Sequence, residues 1–286
     1  MKIKVCLVAH TENFNDNYKK FEWIVKKLEN LESETREIKI SWMLEEDDAK
    51  PFTTEIRGRN RGDVITNGKN FFNKLIEMRD DELGIHIHFT RNGKFDISKE
   101  NQARLIKTAK EKFIQAFGFE PISFVGGHWY SDINTIKILE KFKFKVNASL
   151  VPLYKERRYK WLFGKIITPF KLVTCDWSMC EERKPYYPSY DNICKKGKSK
   201  VLLVPNAVDP FARFFSIDKF LSLDRLENNF QNCVEIFKNF VIKNLEVICI
   251  PFHPHSLTNV DVVKIFFEKC EEFSKKLSFI RLCDLV

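Results

Sequence analysis

Six histidines carry most of the chemical potential of this 286-residue chain: His10, His86, His88, His128, His253 and His255. Two pairs share a spacing. His86 and His88 fall in Glu82-Leu-Gly-Ile-His-Ile-His, and His253 and His255 in Pro251-Phe-His-Pro-His. Residues two apart in an extended strand project from the same face, so each pair can address one point in space. Neutral imidazole is a common ligand for zinc-like ions, and a hydrolytic metal site needs about three protein ligands and an open position. The carboxylate best placed to complete such a set is Glu12 in Val8-Ala-His-Thr-Glu-Asn-Phe, with Asp16 as the nearby alternative.

The elements that must position these residues are legible as alternating β-rich and amphipathic runs. Strands are predicted at Ile3–Ala9, Ile38–Met43, Leu83–His88, Ile122–Val125, Lys145–Ala148, Val201–Pro205, Val247–Phe252 and Phe279–Leu282. Helices are predicted at Tyr18–Leu31, Phe71–Arg79, Gln102–Phe117, Ile133–Phe142, Arg225–Lys243 and Val260–Lys275. That alternation implies βα units around a mainly parallel sheet, an α/β fold whose strand count suggests a distorted or incomplete (β/α) barrel in a single domain over 1–286. Every histidine then lies at or just beyond the C-terminal end of a strand, the rim where barrel active sites are built. The stretch 151–199 breaks the rhythm with Lys155-Glu-Arg-Arg-Tyr-Lys-Trp, Asp176-Trp177 and Pro185-Tyr-Tyr-Pro-Ser-Tyr. It reads as an irregular insertion, suited by its aromatic and basic content to a sugar-binding lid.

Composition narrows the function classes. Lys and Arg total 48 against 39 acidic residues, a net charge of +9. The excess is spread over helix-like segments such as Tyr18–Glu32, and no nucleic-acid-binding motif accompanies it, so no nucleic-acid partner is expected. The first apolar run is too short for a signal-peptide core, and nothing approaches the 18 apolar residues of a membrane span, so a soluble cytoplasmic protein is expected. Eight scattered cysteines show no Cys-x-x-Cys pair and read as reduced, mostly buried thiols, with Cys175 and Cys180 flanking Asp176-Trp177.

In order along the chain, five segments resemble the polysaccharide deacetylase family, the NodB-homology group of carbohydrate esterases. Ala9-His-Thr-Glu-Asn-Phe is similar to its opening acidic motif, and Ile40-Ser-Trp-Met-Leu-Glu-Glu-Asp-Asp to its second strand. Glu82-Leu-Gly-Ile-His-Ile-His is similar to its histidine metal motif. Phe124-Val-Gly-Gly-His-Trp-Tyr-Ser-Asp-Ile-Asn-Thr looks like its third, groove-forming motif, and Ile250-Pro-Phe-His-Pro-His like the strand bearing its general acid. The closing Phe279-Ile-Arg-Leu-Cys-Asp-Leu also fits the family's end.

The resemblance implies a fold of the NodB-homology type and hydrolysis of an N-acyl (acetyl or formyl) group on a sugar, an intermediate of cell-surface glycan synthesis. It implies a divalent ion, zinc foremost, on Glu12, His86 and His88, with His253 as general acid and His128 or His255 orienting the sugar or substituting for His253. Asp176-Trp177 is similar to the family's aspartate-tryptophan motif and would contact substrate; apart from the resemblance, the aromatic ring of Trp129 suits stacking on a sugar, and the basic balance permits Arg183 and Lys184 to meet a phosphate on it. Three departures stand out. His10 occupies the place of the family's aspartate base and would take that role. Thr90 replaces the distal metal histidine, leaving His88 as its substitute. His128 stands where the family has arginine. The same departures are compatible with a catalytically inactive carbohydrate-binding barrel or a metal-free amidohydrolase of the same fold.

Overall fold

A computed structural model describes residues 2–12, 14–35, 37–46, 64–91, 94–158, 161–162, 165–166, 172–274 and 276–286. Eight strands join one sheet: β1 Lys2–His10, β2 Ile40–Glu46, β3 Glu82–Ile87, β4 Ser123–Gly126, β5 Val146–Asn147, β6 Leu202–Leu203, β7 Val247–Phe252 and β8 Lys276–Phe279. Its order is β6-β5-β4-β3-β2-β1-β7, all parallel, with β8 beside the start of β1 and β2 beside its end. The two edges meet at an isolated bridge between Asn206 and Cys249, where the Ala207 N–H donates to the Cys249 carbonyl at 2.8 Å. The fold is thus an incomplete (β/α) barrel, as the alternation of elements predicts.

Helices α1 Phe14–Thr35, α2 Lys69–Met78, α3 Lys99–Phe117, α4 Ile133–Lys141, α5 Leu226–Ile242 and α6 Val260–Glu271 carry the chain between strands. Their limits follow local chemistry. Ser98 caps α3 by accepting from the Asn101 N–H, and Gly118, at φ 79°, ends it in the left-handed conformation that glycine adopts without penalty. Asp132 and Thr135 form a reciprocal capping box at the start of α4. The last predicted strand is displaced: residues 276–279 pair with β1, and Leu282–Leu285 turn into a 3-10 helix. No described helix is long and apolar enough to cross a membrane.

Strand parity separates two cores. Val5, Leu7 and Ala9, Trp42 and Leu44, Ile85 and Ile87, Phe124, and Ile248, Ile250 and Phe252 face the helices in one large cluster. Each Val, Leu, Ile or Phe among them contributes about 1.5–3 kcal/mol on full burial. The alternate residues Cys6, Val8, Met43, Val125, Val146, Ala148, Leu202, Val204 and Cys249 fill the barrel interior. The interior is layered by register, with Ser41 opposite Glu82, Met43 opposite Gly84 and Glu45 opposite His86. Gly84 is required there, because a Cβ would fall 2.8 Å from the Met43 sulfur. At the floor, Glu82 accepts from Ser41 Oγ at 2.6 Å, Ser123 Oγ at 2.5 Å and the Cys283 N–H at 3.2 Å.

The described parts of the insertion include paired strands and a buried cluster. Lys155–Arg158 pairs antiparallel with Leu172–Asp176, and Trp177, Cys180 and Tyr186 pack with Leu150 and Leu203 in a buried cluster. Residues 159–160, 163–164 and 167–171 of it lie outside the described set. Cys180 and Cys194 form a disulfide, which corrects the expectation of thiols throughout; the 14-residue separation shows none of the close spacings that mark cysteine pairs in sequence. Cys6, Cys233, Cys249 and Cys270 are buried thiols, as expected.

Candidate active site

Parity places the histidines. His10 continues Cys6 and Val8, His86 and His88 continue Gly84, and His253 continues Cys249 and Pro251, so all four stand over the barrel interior at its C-terminal mouth. Thr11 fixes the exit of β1: its N–H and Oγ1 both donate to the Met43 carbonyl, at 3.1 and 3.0 Å, and Oγ1 accepts from the Glu45 N–H at 3.0 Å. Glu12 is thereby turned toward the mouth.

Three donor atoms converge there. Glu12 Oε1 lies 3.2 Å from His86 Nε2 and 3.0 Å from His88 Nε2, and the two nitrogens are 3.1 Å apart. Ligands at the usual zinc–nitrogen and zinc–oxygen distances in a tetrahedral shell are separated by about 3.3 Å, so this triangle has the dimensions of a metal site. His86 Nδ1 lies 3.2 Å from the Val125 carbonyl oxygen, and donating to it leaves the Nε2 lone pair facing Glu12. Burial pushes the Glu12 carboxyl up, but His88 and His86 beside it outweigh this and hold it well below the usual carboxylate range. Burial, partly offset by Glu12, lowers His86 and favours its neutral form. The donor set therefore fits a divalent, zinc-like ion.

His253 forms a second unit. Its Nδ1 is 2.8 Å from Asp224 Oδ2, its backbone N–H donates to Asp224 Oδ1 at 2.8 Å, and its Nε2 is 3.9 Å from Glu12 Oε1. Burial alone would lower His253, but Asp224 and Glu12 overcome it and raise the imidazole above its ordinary value. The direction of that shift favours the protonated form, as a general acid requires. His10 behaves oppositely: burial first, then His86 and His253, push it well below the ordinary histidine range. Its ring stacks on His86 at 4.7 Å and touches Trp129 at 4.9 Å and His253 at 5.1 Å, while Nε2 is buried without a hydrogen-bond partner among the described residues.

The remaining expectations separate. His128 sits against the His88 ring at 4.8 Å, in a turn where both it and Trp129 take left-handed backbone, φ 54° and 58°. Strain of this kind concentrates at sites where the surroundings over-determine it. Gly127 completes that turn, since a Cβ there would lie 2.4 Å from the His88 ring. Trp129 lines the mouth beside His10, and Trp177 supports it by donating from Nε1 to the Trp129 carbonyl at 2.8 Å. Trp177 is itself buried, so it braces the wall. Asp176 is exposed and held by Lys155 and by Ser178 Oγ at 2.6 Å. His255 is 5.7 Å from His253, ring to ring. Arg183 is buried and donates from Nη1 to the Glu181 carbonyl. The side chain of Asp16 and residues 47–63, which include the acidic Asp47-Asp48, lie outside the described residues.

Two carboxylates at the mouth escaped the sequence. Glu45 is fully buried at the end of β2, with Oε1 3.7 Å from His88 Nε2. The rim rule that selected the histidines would have found it, applied to carboxylates. Asp224 had no such signal. It lies within a 3-10 turn, Leu223–Arg225, capped by Ser222, whose Oγ donates to the Pro251 carbonyl at 2.8 Å and so docks the segment on β7.

No protein-family model matches the chain, and no curated protein sequence matches it. Solved structures do. A Mycobacterium smegmatis protein assigned to the polysaccharide deacetylases superposes with a TM-score of 0.52 at 9% identity, over 98% of this chain and 88% of that one. The 4-alpha-glucanotransferase of Thermococcus litoralis gives 0.50 at 12% identity, over 99% of this chain and 38% of that one. A CE4 family pseudoenzyme from Bacillus anthracis gives 0.46 at 11%, over 98% and 64%. At these identities the likeness is one of fold. The class defined is the incomplete barrel shared by polysaccharide deacetylases. Because a glycan transferase has the same barrel, activity must be argued from the site.

Proposed function

We propose that this protein is a metal-dependent hydrolase that removes an N-acyl group, acetyl or formyl, from a sugar on the way to a cell-surface glycan. The observation that carries the reading is the meeting of Glu12 Oε1, His86 Nε2 and His88 Nε2 within 3.2 Å of one another, beside a carboxylate-held His253. A divalent ion held by Glu12, His86 and His88 would polarise the amide carbonyl and acidify water for attack.

The chain's own groups handle the protons. His10 Nε2, buried and without a hydrogen-bond partner among the described residues, accepts the proton of the attacking water, a step that must overcome the burial that disfavours its charged form. His253 Nε2 delivers a proton to the departing amine, and Asp224 holds Nδ1 so that Nε2 stays aimed at the mouth. One water is consumed, the C–N bond breaks, and the products are a carboxylate and an amino sugar. Trp129 forms an apolar wall that suits the face of a sugar ring.

The test is metal analysis of purified protein alongside assay on N-acetylated and N-formylated sugar conjugates, with and without chelator. Turnover that requires a bound divalent ion supports the reading. Metal-free protein with unimpaired turnover points instead to a metal-free amidohydrolase, and absence of both metal and turnover to a carbohydrate-binding barrel.

A further inference from the structure

His10 is the place to look beyond that reading. Its side chain is 2% exposed, yet Nε2 has no hydrogen-bond partner among the described residues. Leaving a buried polar atom unsatisfied costs about 1–3 kcal/mol, so such an atom at a site mouth marks a position completed by something that binds there. The atoms around it are ligand atoms. His10, Glu12 and His253 each present one, all within 4.8 Å of one another, as Glu12, His86 and His88 do. The two sets share Glu12. His253 has the arrangement usual for a metal-bound imidazole, its far nitrogen held by a carboxylate at 2.8 Å and its near one turned to the cluster.

We infer that His10, Glu12 and His253 form a second divalent-cation site, adjoining the first through the Glu12 carboxylate, and that filling it inhibits the enzyme. Imidazole-rich ligation selects a zinc-like ion over magnesium or calcium. Glu45, 3.7 Å from His88, and Asp224, 2.8 Å from His253, place carboxyl groups on either side of Glu12. Two dications still repel each other, so the second ion binds more weakly than the first. Inhibition follows from the ligands: a cation on His10 Nε2 and His253 Nε2 blocks the atoms that accept and donate protons in the proposed reaction. The binding claim rests on geometry, and only the inhibition rests on the proposed function.

The test is a zinc titration of metal-free full-length protein by calorimetry, with bound zinc counted at fixed free zinc. Wild type should take two equivalents, a tight one and a weaker one. His10→Ala and His253→Ala should each lose the weaker equivalent, or weaken it at least ~10-fold, and keep the tight one. His86→Ala should lose the tight one. In assays of wild type, rate should fall over the same free-zinc range that fills the second equivalent. A single equivalent in wild type, or two unaltered equivalents in both the His10 and His253 variants, overturns the second site while leaving the hydrolase reading intact. Two equivalents with a rate indifferent to the second overturn the inhibition. No zinc bound at all sinks this site and the hydrolase reading together.

Discussion

Asp224 grips His253 twice, through Oδ2 to the ring Nδ1 and through Oδ1 to the backbone N–H, both at 2.8 Å. The paired contact fixes the ring's rotation and its tautomer, and both matter to a group that must give up a proton from Nε2. Asp224→Asn keeps the shape and removes the charge. The expected outcome is a rate lowered about 10–100-fold with the tight metal retained, measured by steady-state kinetics and metal content on one preparation. Unchanged kcat would remove Asp224 from the mechanism.

His86 and His253 should respond differently to truncation, because one is in the donor triangle and the other holds the proton. His86→Ala is expected to abolish tight metal binding and turnover together. His253→Ala is expected to keep that metal and lose about 10²–10⁴ in rate. Metal content separates the two roles. Should His253→Ala come out metal-free as well, His253 belongs among the ligands of the first ion.

The division between what could and could not be read from sequence follows the range of the signals. β7 is found where its apolar run predicts it, and β1 lies within one residue at each end, because a strand buried on both faces is nearly continuous in hydrophobicity. The same reading put His10, His86, His88 and His253 on one rim, since parity and strand direction are local properties. Glu45 obeys the identical rule and was missed only because an acidic strand end resembles a solvated loop. Asp224 is different in kind. Its contact with His253 depends on a hairpin, bridged at Val208 and Phe220, that carries the chain back to β7, and no spacing within 29 residues announces it. Cys180 and Cys194 are likewise joined by a fold-level approach.

Gly127 offers a test of the mouth that alters no ligand. With His128 and Trp129 already in left-handed backbone, the turn has little freedom to yield, and a methyl group at Gly127 would meet the His88 ring at 2.4 Å. Gly127→Ala should therefore displace the imidazole and weaken the tight metal by about 10-fold or more, as disturbance of ligand orientation does elsewhere. Calorimetric affinity equal to wild type would mean that His88 is free to retreat, and that its position owes nothing to the turn.

At the opposite end of the barrel, Glu82 lets the floor be tested independently of the site. Burial raises its carboxyl above the ordinary value, against the opposing hydrogen bonds from Ser123, Ser41 and the Cys283 N–H. The folded protein then keeps the Glu82 proton over a range of pH in which the unfolded chain has lost it. With more protons bound in the folded state, stability falls as pH rises. The contribution is fully present below the unfolded carboxylate value, about 4.3, and is lost as pH climbs through the raised folded value. Glu82→Gln cannot titrate, so wild type should lose stability relative to this variant as pH increases across that window, and the difference should level off above it. Urea melts of both proteins at a series of pH values from about 4 upward measure that difference directly. A difference independent of pH would mean that the three donors, not burial, govern the carboxyl, and that the floor of the barrel holds a settled carboxylate.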